Sequence, residues 1–210
     1  MNITKPRRYN FISQQIINPY KLNAKKYVGP MMEIASNAIL DGVSTEEEFF
    51  EYYQAYLTAN NIDIYIAINK AYEEAIKTYP DITYDDIHDS FYIMTVHNTW
   101  QGIQRELDFE EWFKAIYPGL DIYHTDNAFD RKYNVDYLIY KDDHFLTGVQ
   151  VKPLTYFMKK NYNWTTNKTK MDKFNKDYGK HVVEVAVENK MVCKGFAALL
   201  SEISNQSINI

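Results

Sequence analysis

Asn134-Val135-Asp136-Tyr137-Leu138-Ile139-Tyr140 and, after the polar tetrapeptide Lys141-Asp142-Asp143-His144, Phe145-Leu146-Thr147-Gly148-Val149-Gln150-Val151-Lys152 form two short β-rich runs. Branched and aromatic residues fill both runs, and the tetrapeptide supplies the turn chemistry of a hairpin. Side chains alternate along a strand with a period of two, so Gln150 and Lys152 share a face. A neighbouring strand can bring Asp136 beside them.

Outward from this hairpin, residues 120–124 and 181–187 read as further strands, and residues 166–178 as a helix with Gly179 as its C-terminal cap. A last helix is expected over residues 194–203. Upstream, Thr83-Tyr84-Asp85-Asp86 opens a long amphipathic stretch to Leu107, and Asp108-Phe109-Glu110-Glu111 reads as a second cap for a short helix ending near Pro118-Gly119. Earlier still, Ser44-Thr45-Glu46-Glu47 has the spacing of a capping box, and residues 62–79 keep apolar residues at helical intervals before Pro80. The order helix, three strands, helix, strand behind a helical region predicts an α/β domain bordering on α+β, a mixed sheet flanked by helices. No repeat or glycine-serine linker interrupts the chain. Residues 1–82 are therefore expected to pack, with a basic arm, on a core of residues 83–210 as one structural unit.

With 210 residues of which 46% are hydrophobic, the chain can bury a real core, which excludes the disordered and fibrous classes. The single cysteine, Cys193, excludes an intramolecular disulfide and a cysteine-rich zinc site. The N-terminus carries no apolar signal region, and no apolar stretch approaches the roughly 18 residues of a membrane span, so a cytoplasmic protein with no membrane partner is expected. A glycine-rich phosphate loop is missing as well, which disfavours a nucleotide cofactor.

The net charge of −5, from 23 basic and 28 acidic residues, hides a strong polarity. Residues 1–32 hold Lys5, Arg7, Arg8, Lys21, Lys25 and Lys26 and no acid; residues 152–180 hold eight lysines against Asp172 and Asp177. Each segment is thus +6, with an acid-rich stretch between them. A fold that joined them would put a positive face on a negative body, the electrostatic shape of a selective nucleic-acid binder. Lys168, Lys170 and Lys173 are candidates for phosphate contacts, together with Arg7 and Arg8 of the arm. Base edges would be read by Asn163, Thr165, Thr166, Asn167 or the two arginines.

Asp136, Gln150 and Lys152 would bring a carboxylate, an amide and an ammonium to one point, and Glu106 on the preceding helix could aim a second carboxylate there. This set suits metal-assisted hydrolysis of a phosphodiester. Mg²⁺ takes hard oxygen ligands and keeps several waters, which Asp136, the Gln150 side-chain oxygen, the Val151 carbonyl and Glu106 through water could accommodate. Lys152 would orient or deprotonate the attacking water. Spacing alone is also met by a strand-end lysine reaching solvent and an aspartate capping a turn.

The order helix with Glu106, strand, strand with Asp136, strand with Gln150-x-Lys152, helix, strand resembles the PD-(D/E)XK nuclease superfamily, which includes many type II restriction endonucleases. The resemblance covers roughly residues 85–187. Within it, Gly148-Val149-Gln150-Val151-Lys152-Pro153-Leu154 and Trp100-Gln101-Gly102-Ile103-Gln104-Arg105-Glu106 are similar to small restriction enzymes of the MjaI type. It implies a restriction-endonuclease-like fold that cuts double-stranded DNA at short sites with Mg²⁺, often as a homodimer. Two positions depart from the pattern: Val135 stands where the motif has proline, and Gln150 where Glu or Asp is usual. The second removes a metal-binding charge and puts more weight on Glu106.

His88, His97, His124, His144 and His181 lack partner spacing such as His-Glu-x-x-His and read as surface or turn residues. Two other functions fit the same residues: a non-catalytic nucleic-acid-binding protein that keeps a nuclease-like sheet, and a structure-selective repair or junction nuclease.

Overall fold

The computed structural model describes residues 8–158 and 164–207, with side chains for residues 8–158 and 168–204. Two compact units make up the chain, Met1–Ile103 and Gln104–Ile210.

The described part of the first unit is helical. Helix α1 (Tyr9–Phe11) continues as a π-helical stretch (Ile12–Ile17), followed by α2 (Lys25–Val28), α3 (Met31–Leu40), α4 (Glu46–Ala59), α5 (Ile64–Ile76) and α6 (Tyr84–Tyr92). A second π-helical stretch (Ile93–His97) leads into α7 (Asn98–Ile116), within which the division between the units falls. The capping box of α4 sits one residue later than its spacing suggests: Thr45 caps the helix and Glu48 closes the box. Ser44 instead donates to the same Glu48 carboxylate from its amide and its hydroxyl. Thr83 and Asp86 form the expected box at α6. One apolar cluster gathers Ile12, Ile17, Leu22, Ile68, Ile87 and Phe91; a second gathers Ile34, Phe49, Tyr53, Val96, Trp100 and Ile103. The Tyr53 hydroxyl is buried and donates to the Val28 carbonyl at 3.0 Å, so this large side chain enters the core with its polar end satisfied.

In the second unit the separate helix expected after Asp108 is not formed, because α7 runs unbroken to Ile116. Phe109 and Phe113 extend its apolar stripe onto the sheet, and neither Gly nor Pro follows Leu107 to stop it. The acidic residues that resemble a cap lie along the helix, where Glu110 pairs with Lys114 one turn on. After it come β1 (Asp121–His124), α8 (Asn127–Tyr133), β2 (Tyr137–Lys141), β3 (His144–Lys152), α9 (Leu154–Met158), α10 (Trp164–Tyr178), β4 (Val182–Glu188), β5 (Met191–Lys194) and α11 (Phe196–Ser207). Three of these, α8, α9 and β5, are additions to the expected order. Helix α8 is a short piece that Asp126 caps and Asn134 ends in the left-handed conformation.

The five strands lie in chain order, with β3 and β4 parallel and every other neighbouring pair antiparallel. The mixed α/β class is as expected. Asp142 and Asp143 both take positive φ, 49° and 65°, the backbone that a two-residue hairpin turn demands and that Asp tolerates better than most residues. One face of the sheet buries Tyr137, Ile139, Val149, Val151, Val183, Val185 and Val187 against Phe109, Phe113, Leu199 and Ile203. The other carries Val135, Leu138 and Val182 against Tyr133 and Phe174 of α8 and α10. Gly148 belongs to this second face, where a Cβ would stand 3.1 Å from both Phe174 and Val135. By alternation Gln150 and Lys152 belong to it too.

Gly195 joins β5 to α11 at φ 80°, and a Cβ there would lie 2.1 Å from the Glu184 carbonyl oxygen. Two backbones pass too closely for any side chain. Gly195→Ala is expected to cost at least about 2 kcal/mol, from forced displacement together with left-handed strain. A urea midpoint lowered at constant slope is the expected reading; an unchanged midpoint contradicts this packing.

Candidate active site

Asp136 stands one residue before β2, with its backbone already in the ladder: its N–H donates to the Val149 carbonyl at 2.8 Å and its carbonyl accepts from the Thr125 N–H at 2.8 Å. The carboxylate is 7% exposed. Its Oδ2 accepts from Gln150 Nε2 at 2.7 Å and from the Val151 N–H at 2.6 Å, which fixes the side chain across β2 and β3. Both bonds go to Oδ2; Oδ1 accepts none among the described residues. Gln150 is equally enclosed, at 5% exposure, and its Oε1 is buried without a hydrogen-bond partner among the described residues. A buried acceptor left unmet costs on the order of 1–3 kcal/mol, so its persistence calls for a ligand or a function.

Glu106 projects from α7. Its backbone carbonyl accepts from the Tyr137 hydroxyl at 2.8 Å, and its Oε2 lies 3.0 Å from His124 Nε2 on β1. Burial first, and the charge of Glu106 second, push the Asp136 carboxyl up to about 8, while Lys152 and the Val151 N–H pull it down. Asp130 on α8 feels the same field: burial and then Glu106 raise it, and Lys152, Lys170 and His124 oppose. The hydrogen bond to Glu106 in turn raises His124. Lys152 is half-buried, with its ammonium 5.8 Å from the centre of the Tyr156 ring. The centre therefore collects carboxylates faster than it neutralises them. Among the described residues no three of His, Cys, Asp and Glu are grouped to hold a metal. Among the described residues, the oxygens of this pair without a hydrogen bond are Asp136 Oδ1 and Gln150 Oε1, and the charge of Glu106 acts on Asp136.

Asp136, Gln150 and the Val151 backbone are thus in direct contact, and Glu106 and Lys152 act on Asp136 through their charges. Lys170 reaches the same field through Asp130. Lys168 lines a pocket of about 240 Å³ with Tyr156, Asp172, His181 and Glu184. Lys173 is exposed and sits 5.8 Å from the Tyr133 ring centre. Arg8 is in the first unit, where it is ion-paired with Asp81. Arg7 and Asn163, and the side chains of Thr165, Thr166 and Asn167, lie outside the described residues. Two members of the centre escaped the reading of spacing. His124 has no local motif, since its partner is on another element; Asp130 sits on a helix too short to show a period.

An α/β unit that buries a carboxylate and an amide oxygen beside a half-buried lysine on one sheet face has groups that can act on a charged substrate. The chain belongs to the MjaI restriction endonuclease family, which it matches over residues 12–194. It is accordingly a type II restriction endodeoxyribonuclease, an enzyme that acts on DNA. No curated protein and no solved structure matches the chain. Among the described residues no helix is long and apolar enough to cross a membrane.

Proposed function

We propose that the chain hydrolyses phosphodiester bonds of double-stranded DNA at a specific site with Mg²⁺, through a PD-(D/E)XK-type centre of Asp136, Gln150, Lys152 and Glu106. The observation that carries this reading is the locked pair of Asp136 and Gln150. Each of its two side chains keeps one oxygen without a hydrogen bond among the described residues, on the face that also bears Lys152. The donor set suits Mg²⁺: few protein oxygens, all hard, for an ion that retains several waters. The excess of carboxylates supports the same fit. Asp136 would be the principal ligand, Gln150 Oε1 and the Val151 carbonyl would assist, and Glu106 would act through water.

When bound, the cation supplies positive charge to the phosphate and acidifies the attacking water. Lys152 donates to that water and to a phosphate oxygen, orienting the one and offsetting charge that develops on the other. Glu106 keeps the site electronegative, and the bond to His124 holds its carboxylate in place. Lys168, Lys170 and Lys173 follow the centre in sequence and would position the DNA backbone. Cutting both strands of a palindromic site would call for a homodimer, whose twofold axis matches that of the DNA.

The test is digestion of unmodified plasmid and phage DNA in Mg²⁺ beside an EDTA control. Discrete fragments in Mg²⁺ alone are expected, and sequencing their ends reads the site. DNA bound but left intact under every divalent metal would favour the non-catalytic reading. Cleavage confined to branched substrates would favour a junction nuclease.

A further inference from the structure

Lys152 makes no hydrogen bond and no ion pair with any described carboxylate, although Asp136 and Asp130 both feel its charge. Its ammonium instead lies 5.8 Å from the centre of the Tyr156 ring, within the range of a cation–π contact. Tyr156 is half-buried on α9, the short helix that follows β3 directly, and its N–H donates to the Pro153 carbonyl at 2.9 Å. The Tyr156 hydroxyl donates to Glu184 Oε1 at 2.9 Å. Glu184 is the residue of β4 paired in register with Gln150 of β3, so it shares the face that carries the centre. A chain of contacts thus runs from the ammonium through the ring to a carboxylate anchored on the neighbouring strand.

We infer that Tyr156 is the positioning residue for Lys152, holding its ammonium toward the centre by the face of the ring, with Glu184 fixing the ring. This rests on the reading that Lys152 acts on water and phosphate. The choice of partner has a chemical reason. A carboxylate would occupy the N–H donors and neutralise the charge, whereas a ring face attracts the cation and leaves all three donors free for substrate. Glu184, bound to the far end of the ring, is kept off the ammonium itself.

The test uses the full chain with Tyr156→Leu, Tyr156→Trp, Glu184→Ala and Lys152→Ala, each checked for fold by circular dichroism. In Tyr156→Leu the single-turnover cleavage rate is expected to fall about 10- to 100-fold, the usual result of letting a reacting group drift by about an ångström. KM and DNA binding in Ca²⁺ are expected to stay at parent values. Tyr156→Trp, which restores a ring face, is expected to recover most of the rate. A second readout needs neither metal nor DNA. With ¹³C-methylated lysines, the resonance that disappears in Lys152→Ala is assigned to Lys152; ring current should shift it upfield in the parent. That shift should collapse in Tyr156→Leu and weaken in Glu184→Ala. If the resonance stays put in both, or folded Tyr156→Leu cuts at the parent rate while Lys152→Ala is inactive, the positioning role is overturned. Parent-rate cleavage by Lys152→Ala would overturn the catalytic reading instead.

Discussion

Lys152→Ala is expected to reduce cleavage of a plasmid carrying the recognition site by at least about 10³-fold, while Ca²⁺-supported DNA binding changes little. The magnitude combines two losses: the group that orients the water, worth about 10²–10⁴-fold in general acid–base catalysis, and a charge aimed at the phosphate in an enclosed site, worth about 10²–10³-fold for one donor. Effects within one constellation do not add, so the expected loss stays within the range of the larger single effect, at about 10³-fold, and is not their product. Binding should survive because the backbone contacts proposed for Lys168, Lys170 and Lys173 are made elsewhere. Folding should survive too, since the half-buried ammonium has no ion pair to lose among the described residues. Single-turnover cleavage with a gel-shift assay in Ca²⁺ measures both. A folded variant cutting at the parent rate would remove Lys152 from the mechanism.

Asp136→Asn is expected to abolish cutting and, in the metal-free protein, to raise stability. The buried carboxyl of Asp136 has its pKa pushed up to about 8 by burial first and by Glu106 second. An unfolded Asp titrates near about 4. Between these values the folded state holds a proton that the unfolded state has released. Stability therefore falls as pH rises from about 4 to about 8, and the full penalty is present above the folded value. The amide cannot ionise, and its oxygen can still accept from the Val151 N–H. Metal-free Asp136→Asn should thus lack this part of the pH slope and exceed the parent by about 2–4 kcal/mol near pH 8, a discounted figure for a carboxylate that is buried and partly hydrogen-bonded. A divalent cation should reverse the order, because binding to the folded state alone stabilises the parent and not the variant. Thermal melts across pH 5–8.5, in EDTA and in Ca²⁺, measure this. Identical pH slopes for the two proteins in EDTA would mean that Asp136 is ionised throughout.

Much of the second unit was legible from local pattern. The hairpin of β2 and β3 follows from β-rich runs either side of an Asp-Asp turn, and the Gly179 cap, like the Thr83 box of the first unit, follows from single residues with a narrow conformational use. The misreading after Leu107 has a plain origin. A capping residue and an acidic residue on a solvent face look alike in sequence, and only the continuation of Phe109 and Phe113 onto the sheet decides between them after Leu107. Helix α8 went unread because seven residues span barely two turns, too few for a period to emerge.

By itself the sequence determined that Gln150 and Lys152 share a face, that Asp136 belongs to the neighbouring β-rich run, and that the class is α/β, because strand alternation and hairpin closure act within a few residues; the structure starts that strand one residue after Asp136. Only the tertiary structure decided which atoms meet. Among the described residues Asp136 takes both its donors on Oδ2 and Gln150 Oε1 is left without a partner, while His124 reaches Glu106 across 18 residues and Tyr156 reaches Glu184 across 28. Those contacts depend on sheet register and on where each helix lies over the sheet, which are set by the packing of the whole unit and leave no period in the chain.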